Sequence, residues 1–190
     1  MPRQRRPEAR ARRLWTIAGA AALGLAALLW AGRDELPDHV AHRSGAGRAQ
    51  VVPDYAALSD RLDPAALART LGAPGELPLR CAQTADGRVC TAPLLRADGQ
   101  SAERLTATWQ GTRLVRTDVR LPWWAHHGMV RALTARLGAP TRPDAEAPDD
   151  AQAPAIAWQL DHGTLRIARA PGWAPWRWTT LRWQAAEAPL

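Results

Sequence analysis

The pentapeptide Trp123-Trp124-Ala125-His126-His127 joins the two side-chain types of this chain best suited to chemistry and to recognition. Imidazoles titrate near neutrality and ligate metals, whereas indoles anchor protein interfaces and stack on flat ligands. Adjacent histidines on a helix point about 100 degrees apart, however, and a shared metal prefers them four residues apart. A zinc centre would therefore need His162 or a carboxylate such as Asp118 delivered by the fold. The expected reading is an amphipathic helix start with one exposed histidine, and with Trp123 and Trp124 available for contact.

A second candidate is the run Pro171-Gly172-Trp173-Ala174-Pro175-Trp176-Arg177-Trp178, a proline-rich loop leading into a strand. Tryptophan and arginine are the side chains that most often dominate protein interfaces. Trp173, Trp176 and Arg177 are thus candidate binding residues, set against the plainer expectation that the loop folds back over the core. Residues 141–154 carry Asp144, Glu146, Asp149 and Asp150 among prolines, without the spacing of a calcium loop, and read as a solvated connection.

Covalent and phosphate chemistry is poorly provided for. The serines, Ser44, Ser59 and Ser101, sit in neither a G-x-S-x-G elbow nor an S-x-x-K setting, and Walker-type and dinucleotide glycine patterns are absent. No catalytic residue, metal ligand or small-molecule cofactor is assigned. The two cysteines, Cys81 and Cys90, flank AQTADGRV. A four-residue loop over 84–87 puts Gln83 opposite Arg88, Ala82 opposite Val89 and Cys81 opposite Cys90, so a cross-hairpin disulfide is expected.

That expectation needs an oxidising compartment, and the N-terminus supplies a route to one. Residues 14–31, LWTIAGAAALGLAALLWA, form an apolar run which as a helix spans about 27 Å, enough to cross a bilayer core. Leu14 and Ala31 mark its ends, and Trp15 and Trp30 fall where indoles favour the headgroup interface. Six arginines and one glutamate precede the run, while Asp34, Glu35 and Asp38 follow it, which by the positive-inside rule keeps the N-terminus cytoplasmic. A cleaved signal would have a shorter apolar stretch and small residues at the cut, which Leu29 and Trp30 spoil. The expected order is a basic tail at 1–13, a membrane helix at 14–31, a flexible linker at 32–52 and an exported domain at 53–190.

The formal charge of +7 includes +5 from that basic tail, so the exported part holds about +2 and nucleic acid is not an expected partner. Lysine and phenylalanine are absent and every basic residue is arginine, a bias that suggests a GC-rich bacterial genome. With Tyr55 the sole tyrosine, the ten tryptophans must supply nearly all aromatic packing, and most are expected in the core.

The elements that must position these residues follow a repeat. Asp63-Pro64 opens a helix that stops at Leu71-Gly72-Ala73-Pro74; a second helical stretch over 123–137 stops at Leu137-Gly138-Ala139-Pro140, the same tetrapeptide. Strands are expected at 77–83, 88–94, 105–110 and 112–121 after the first, and at 155–160, 164–168 and 178–183 after the second. The fold class is α+β, with two tandem helix-then-antiparallel-sheet units over about 53–121 and 122–190 as the simplest account, though a continuous single sheet would suit the same strands.

A helix ending in Leu-Gly-x-Pro, followed by a meander with a late tryptophan, resembles the units of the beta-lactamase inhibitor protein fold and of the small envelope lipoproteins of the outer-membrane barrel assembly machinery. The lipoproteins' lipidated cysteine is absent here, and no functional residue transfers by position. The resemblance implies a noncatalytic envelope binding module. The expected function is accordingly an inner-membrane-anchored protein whose periplasmic domain binds another envelope protein. The rivals are a metal-dependent or glycan-acting enzyme around His126 and His127, and a peptidoglycan-binding module in which indole faces stack on sugars.

Overall fold

The computed structural model describes residues 17–24, 26, 27, 30, 49–72, 77–141, 155–169 and 177–186. Residues 1–41 and 42–190 are separate units. In the first, residues 17–24, 26, 27 and 30 are helical and exposed, and the rest of the expected 14–31 span lies outside the described residues. Among the described residues no helix is long and apolar enough to cross a membrane.

The second unit is α+β, built on one mixed sheet with few helices. Strand β1 (Ala49–Val51) leads into a 3-10 turn at Tyr55–Ala57 and helix α1 (Pro64–Thr70). Five strands follow: β2 (Arg80–Thr84), β3 (Gly87–Ala97), β4 (Gln100–Ser101), β5 (Arg104–Gln110) and β6 (Arg113–Leu121). A 3-10 turn at Trp123–Ala125 runs into helix α2 (His126–Leu137), and β7 (Ile156–Leu160), β8 (Gly163–Arg169) and β9 (Thr179–Ala185) complete the order.

Local chemistry accounts for both helices. The Asp63 carboxylate accepts a hydrogen bond from the Ala66 amide at 2.7 Å, capping the first turn, and Pro64 occupies a position where its missing N–H costs nothing. Gly72 and Gly138, at φ of +58° and +84°, take left-handed backbone just past each helix, which a Cβ would resist. Strand β1 is a difference from the sequence reading: residues assigned to the end of a flexible linker pair with β3 instead, and they do so in parallel. A strand of three residues is too short to show alternation, so its pairing is decided by the partner edge.

The sheet runs β1-β3-β5-β6-β9-β8-β7, with β2 and β4 also on β3. The two tandem units do not form separate sheets as the simplest account expected; their strands make one continuous sheet, because β6 pairs antiparallel with β9 from Arg116↔Gln184 to Leu121↔Thr179. One face is buried: Ala107, Thr117, Trp183 and Leu165 form a row across four strands, and Leu105, Val119, Leu181 and Ile167 the next. Leu67 and Leu71 of the first helical segment and Met129 and Leu133 of α2 join the same core. Trp109, Trp158, Trp178 and Trp183 are all buried, so tryptophan does supply the aromatic packing.

The opposite face is polar. Thr106, Thr108, Asp118, Arg120, Thr180, Arg182, Thr164 and Arg166 occupy its alternating positions. At the sheet edge the hairpin register is the expected one, with Gln83↔Arg88, Ala82↔Val89 and Cys81↔Cys90 paired, and the two cysteines form a disulfide. Every residue of β2 is exposed whereas Cys90 is buried, so the bond ties an exposed edge strand to the core.

Candidate functional site

The β6–β9 pairing draws together residues more than fifty positions apart in the chain. Leu121, the last residue of β6, lies across from Thr179, the first of β9. The chain leaving β6 turns through Pro122 into Trp123 and Trp124, while the chain entering β9 arrives through Arg177 and Trp178. Three of the five candidate binding residues thus reach one end of the sheet; Trp173 and Trp176 lie outside the described residues.

Trp123 and Trp124 are 39% and 41% exposed, in a domain whose other described tryptophans are buried. Their rings meet edge to face, with centroids 5.7 Å apart. At the same end of the sheet the Arg120 guanidinium stands 4.3 Å from the centroid of the Trp178 ring, a cation–π stack on the polar face. Residues Arg120 and Trp178 were missed as site residues by sequence reasoning. The signal that could have found them is their common phase: both alternate outward from neighbours, Leu121 and Thr179, that face the core.

His126 and His127 part company as the helical geometry requires. His126 is buried and His127 exposed, with ring centroids 5.3 Å apart. His126 Nδ1 lies 3.5 Å from the Thr179 hydroxyl, at the outer limit of a hydrogen bond. Burial pushes the His126 pKa down, and the neighbouring His127 and Arg169 push it the same way. Because the folded protein resists protonating this ring, the neutral form contributes stability that is complete above the unfolded value near 6.5 and is lost as pH falls through the lowered folded value.

Urea unfolding at a series of pH values is expected to show stability falling below about pH 6.5, by no more than about 1.4 kcal/mol per pH unit for one proton. His126→Gln should flatten that slope. An unchanged slope in the variant would assign the acid sensitivity to other groups.

The partners a metal would need are not brought to these rings. Asp118 lies on the polar face, held by Arg182 Nε at 2.7 Å and Arg116 Nε at 3.2 Å, while His126 faces the core side. His162 sits in the β7–β8 turn at the Ala185 end of β9, roughly 20 Å along the strand from Thr179. Among the described residues, no group of three His, Cys, Asp or Glu side chains converges to hold a metal ion.

A buried polar cluster lies elsewhere, on the core side of the sheet. The Tyr55 hydroxyl donates to Asp98 Oδ2 at 2.6 Å, and Arg136 from the last turn of α2 pairs with Asp98 Oδ1 and donates to the Pro53 carbonyl at 2.7 Å. Burial raises the Asp98 pKa against the opposing pull of Tyr55 and Arg136. The Tyr55 pKa is raised well above its usual value, first by burial and then by the Asp98 charge. These contacts tie the start of the domain, the β3–β4 turn and α2 to one another. Compared against protein-family models, curated proteins and solved structures, the chain has no match, so its functional reading stands on this geometry.

Proposed function

We propose that this chain is a single-pass protein of the bacterial inner membrane whose periplasmic domain binds another envelope protein through the tryptophan end of its sheet. In this reading residues 14–31 cross the bilayer with the N-terminus in the cytoplasm, and the segment before β1 spaces the domain from the membrane. The apolar run with its arginine-rich flank supports the anchor, and the Cys81–Cys90 disulfide supports an oxidising destination.

The observation that carries the binding role is the exposed pair Trp123 and Trp124 at the end of the sheet that Arg177 and Trp178 also reach. Half-exposed indoles with arginine at the same end of the sheet have the composition of an interface centre, where aromatic and guanidinium side chains provide most of the binding energy. Their rings already rest against each other, so little side-chain freedom is lost on docking.

Crosslinking in intact cells, comparing the native chain with Trp123→Ala/Trp124→Ala, tests this. One envelope protein should be captured by the native chain and reduced about tenfold or more in the variant, the size expected when interface-anchoring aromatics are removed. Both positions being partly solvated, the variant should retain its fold, which near-ultraviolet circular dichroism checks. Equal capture by both proteins would remove the pair from the binding surface.

A further inference from the structure

We propose that β2 pairs antiparallel with β2 of a second copy of this chain, so that the two domains share one continuous sheet. This goes beyond the binding role above, since it uses an edge of the sheet and not the end that carries Trp123 and Trp124. It rests on the membrane-anchored reading only for the confinement that makes copies meet often.

The edges of the sheet are finished differently. At the β7 edge Thr141 bridges Ala157, and its hydroxyl donates to the Ala157 carbonyl at 3.1 Å. Strand β2 has no such cover among the described residues: all five of its residues are exposed, and it pairs with β3 alone. Natural edge strands are commonly blunted by proline, lysine or a bulge. β2 holds none of these, and its register with β3 runs unbroken from Arg80↔Thr91 to Thr84↔Gly87.

That register decides which backbone groups are left over. Ala85 and Asp86 form the turn, so the pair that closes it, Thr84↔Gly87, exchanges hydrogen bonds across the hairpin. Alternation gives the same role to Ala82↔Val89 and Arg80↔Thr91, and it turns the N–H and C=O of Cys81 and Gln83 outward. These outward groups have no hydrogen-bond partner among the described residues. The disulfide ties Cys81 to the buried Cys90, so the outward row is held extended before any partner arrives.

The row is complementary to itself. With Ala82 facing Ala82 of the second copy, Cys81 lies across from Gln83 of that copy and Gln83 across from its Cys81, and both pairs exchange backbone hydrogen bonds. Arg80 falls across from Thr84 of the second copy, with Asp86 of that copy one diagonal step further, within reach of a long side chain. Neither Arg80 nor Asp86 has an ion-pair partner among the described residues, so each gains one and no like charges are opposed. The two-fold axis of such a junction is perpendicular to the sheet, and both copies turn the same face to the same side, which suits two chains anchored in one bilayer. The contact is far smaller than a stable soluble dimer needs, and confinement to a membrane supplies the missing effective concentration.

The full chain carrying the photo-crosslinker p-benzoylphenylalanine in place of Ala82 tests this by illumination of the cells that express it. A band of twice the chain mass is expected, and trypsin after reduction should release the peptide 81–88 joined to itself. The same crosslinker in place of Gln159 on β7 should give no such band. Gln83→Pro removes an N–H that the domain's own sheet does not use, and should cut the dimer about tenfold while the Cys81–Cys90 disulfide still forms. Arg80→Asp should lower it about fivefold, and Arg80→Asp/Asp86→Arg should restore it, a rescue that holds whether or not the proline variant folds.

The proposal is overturned if the folded chain gives no dimer from position 82, if position 82 joins a different protein or another stretch of its own kind, or if the charge swap restores nothing. Recovery of the chain in the soluble fraction would overturn the anchored reading separately, and the self-joined peptide is scored in that fraction by the same criterion.

Discussion

Trp109→Ala is expected to cost the fold about 4 kcal/mol, the largest effect of any single substitution considered. The indole is 2% exposed, and its N–H donates to the Leu62 carbonyl at 2.8 Å, tying β5 to the segment before α1. Truncation removes a large buried surface and leaves that carbonyl without its partner in a region that cannot easily collapse. The Leu114 amide donates to the Asp60 carbonyl at 2.8 Å, and Arg113 pairs with the Asp60 carboxylate at 3.0 Å, so the surrounding loop is held in place. Urea unfolding followed by fluorescence of the remaining tryptophans measures the loss. Trp109→Phe separates the causes, since it retains most of the ring burial and should cost only about half as much, from the smaller ring and the lost hydrogen bond. If alanine and phenylalanine variants were equally stable, burial of this ring would not be what holds the loop to the sheet.

Asp98→Ala comes second, at about 3 kcal/mol, combining an orphaned buried hydroxyl with backbone strain. Tyr55 is 3% exposed, so water cannot replace the carboxylate that accepts from its hydroxyl, whereas Arg136 is solvated enough to find another partner. Asp98 also sits at φ +48°, a conformation that Asn and Asp tolerate better than Ala. Asp98→Asn keeps that backbone and offers Tyr55 an amide oxygen, and it removes a charge that burial disfavours. Its cost should be only about 1 kcal/mol. Denaturation of the two variants side by side reads the difference; near-equal losses would mean that the carboxylate charge, and not the left-handed turn and the tyrosine contact, is what the site requires. A Tyr55→Phe/Asp98→Ala cycle should then show coupling of about 1 kcal/mol, since the two groups share one hydrogen bond.

Much of this architecture was legible in the residues. Asp63-Pro64 and the two Leu-Gly-Ala-Pro stops mark helix ends because capping and left-handed glycine act within a few residues. The Cys81–Cys90 pairing follows from loop length alone, since an antiparallel register is set once the turn is placed. Strands showing alternation were found to within a few residues, whereas β1 and β4, with three and two residues, were too short to carry a periodic signal.

Tertiary structure decided what no local pattern encodes. A register shift beside Trp109 lets that residue and Leu114 both face the core, although the outward run Val115-Arg116 breaks strict alternation. The joining of β6 to β9 turned two possible sheets into one, and the same pairing brought the segments that carry Trp123 and Trp124 and Arg177 and Trp178 to one end of it. Asp98 meets Tyr55 and Arg136 across 43 and 38 positions, and Arg166 comes to lie opposite Arg182. Sequence determines which residues can cap, turn or alternate because those preferences depend on near neighbours. Which distant surfaces meet is fixed by burying one shared apolar face, and that depends on the whole chain at once.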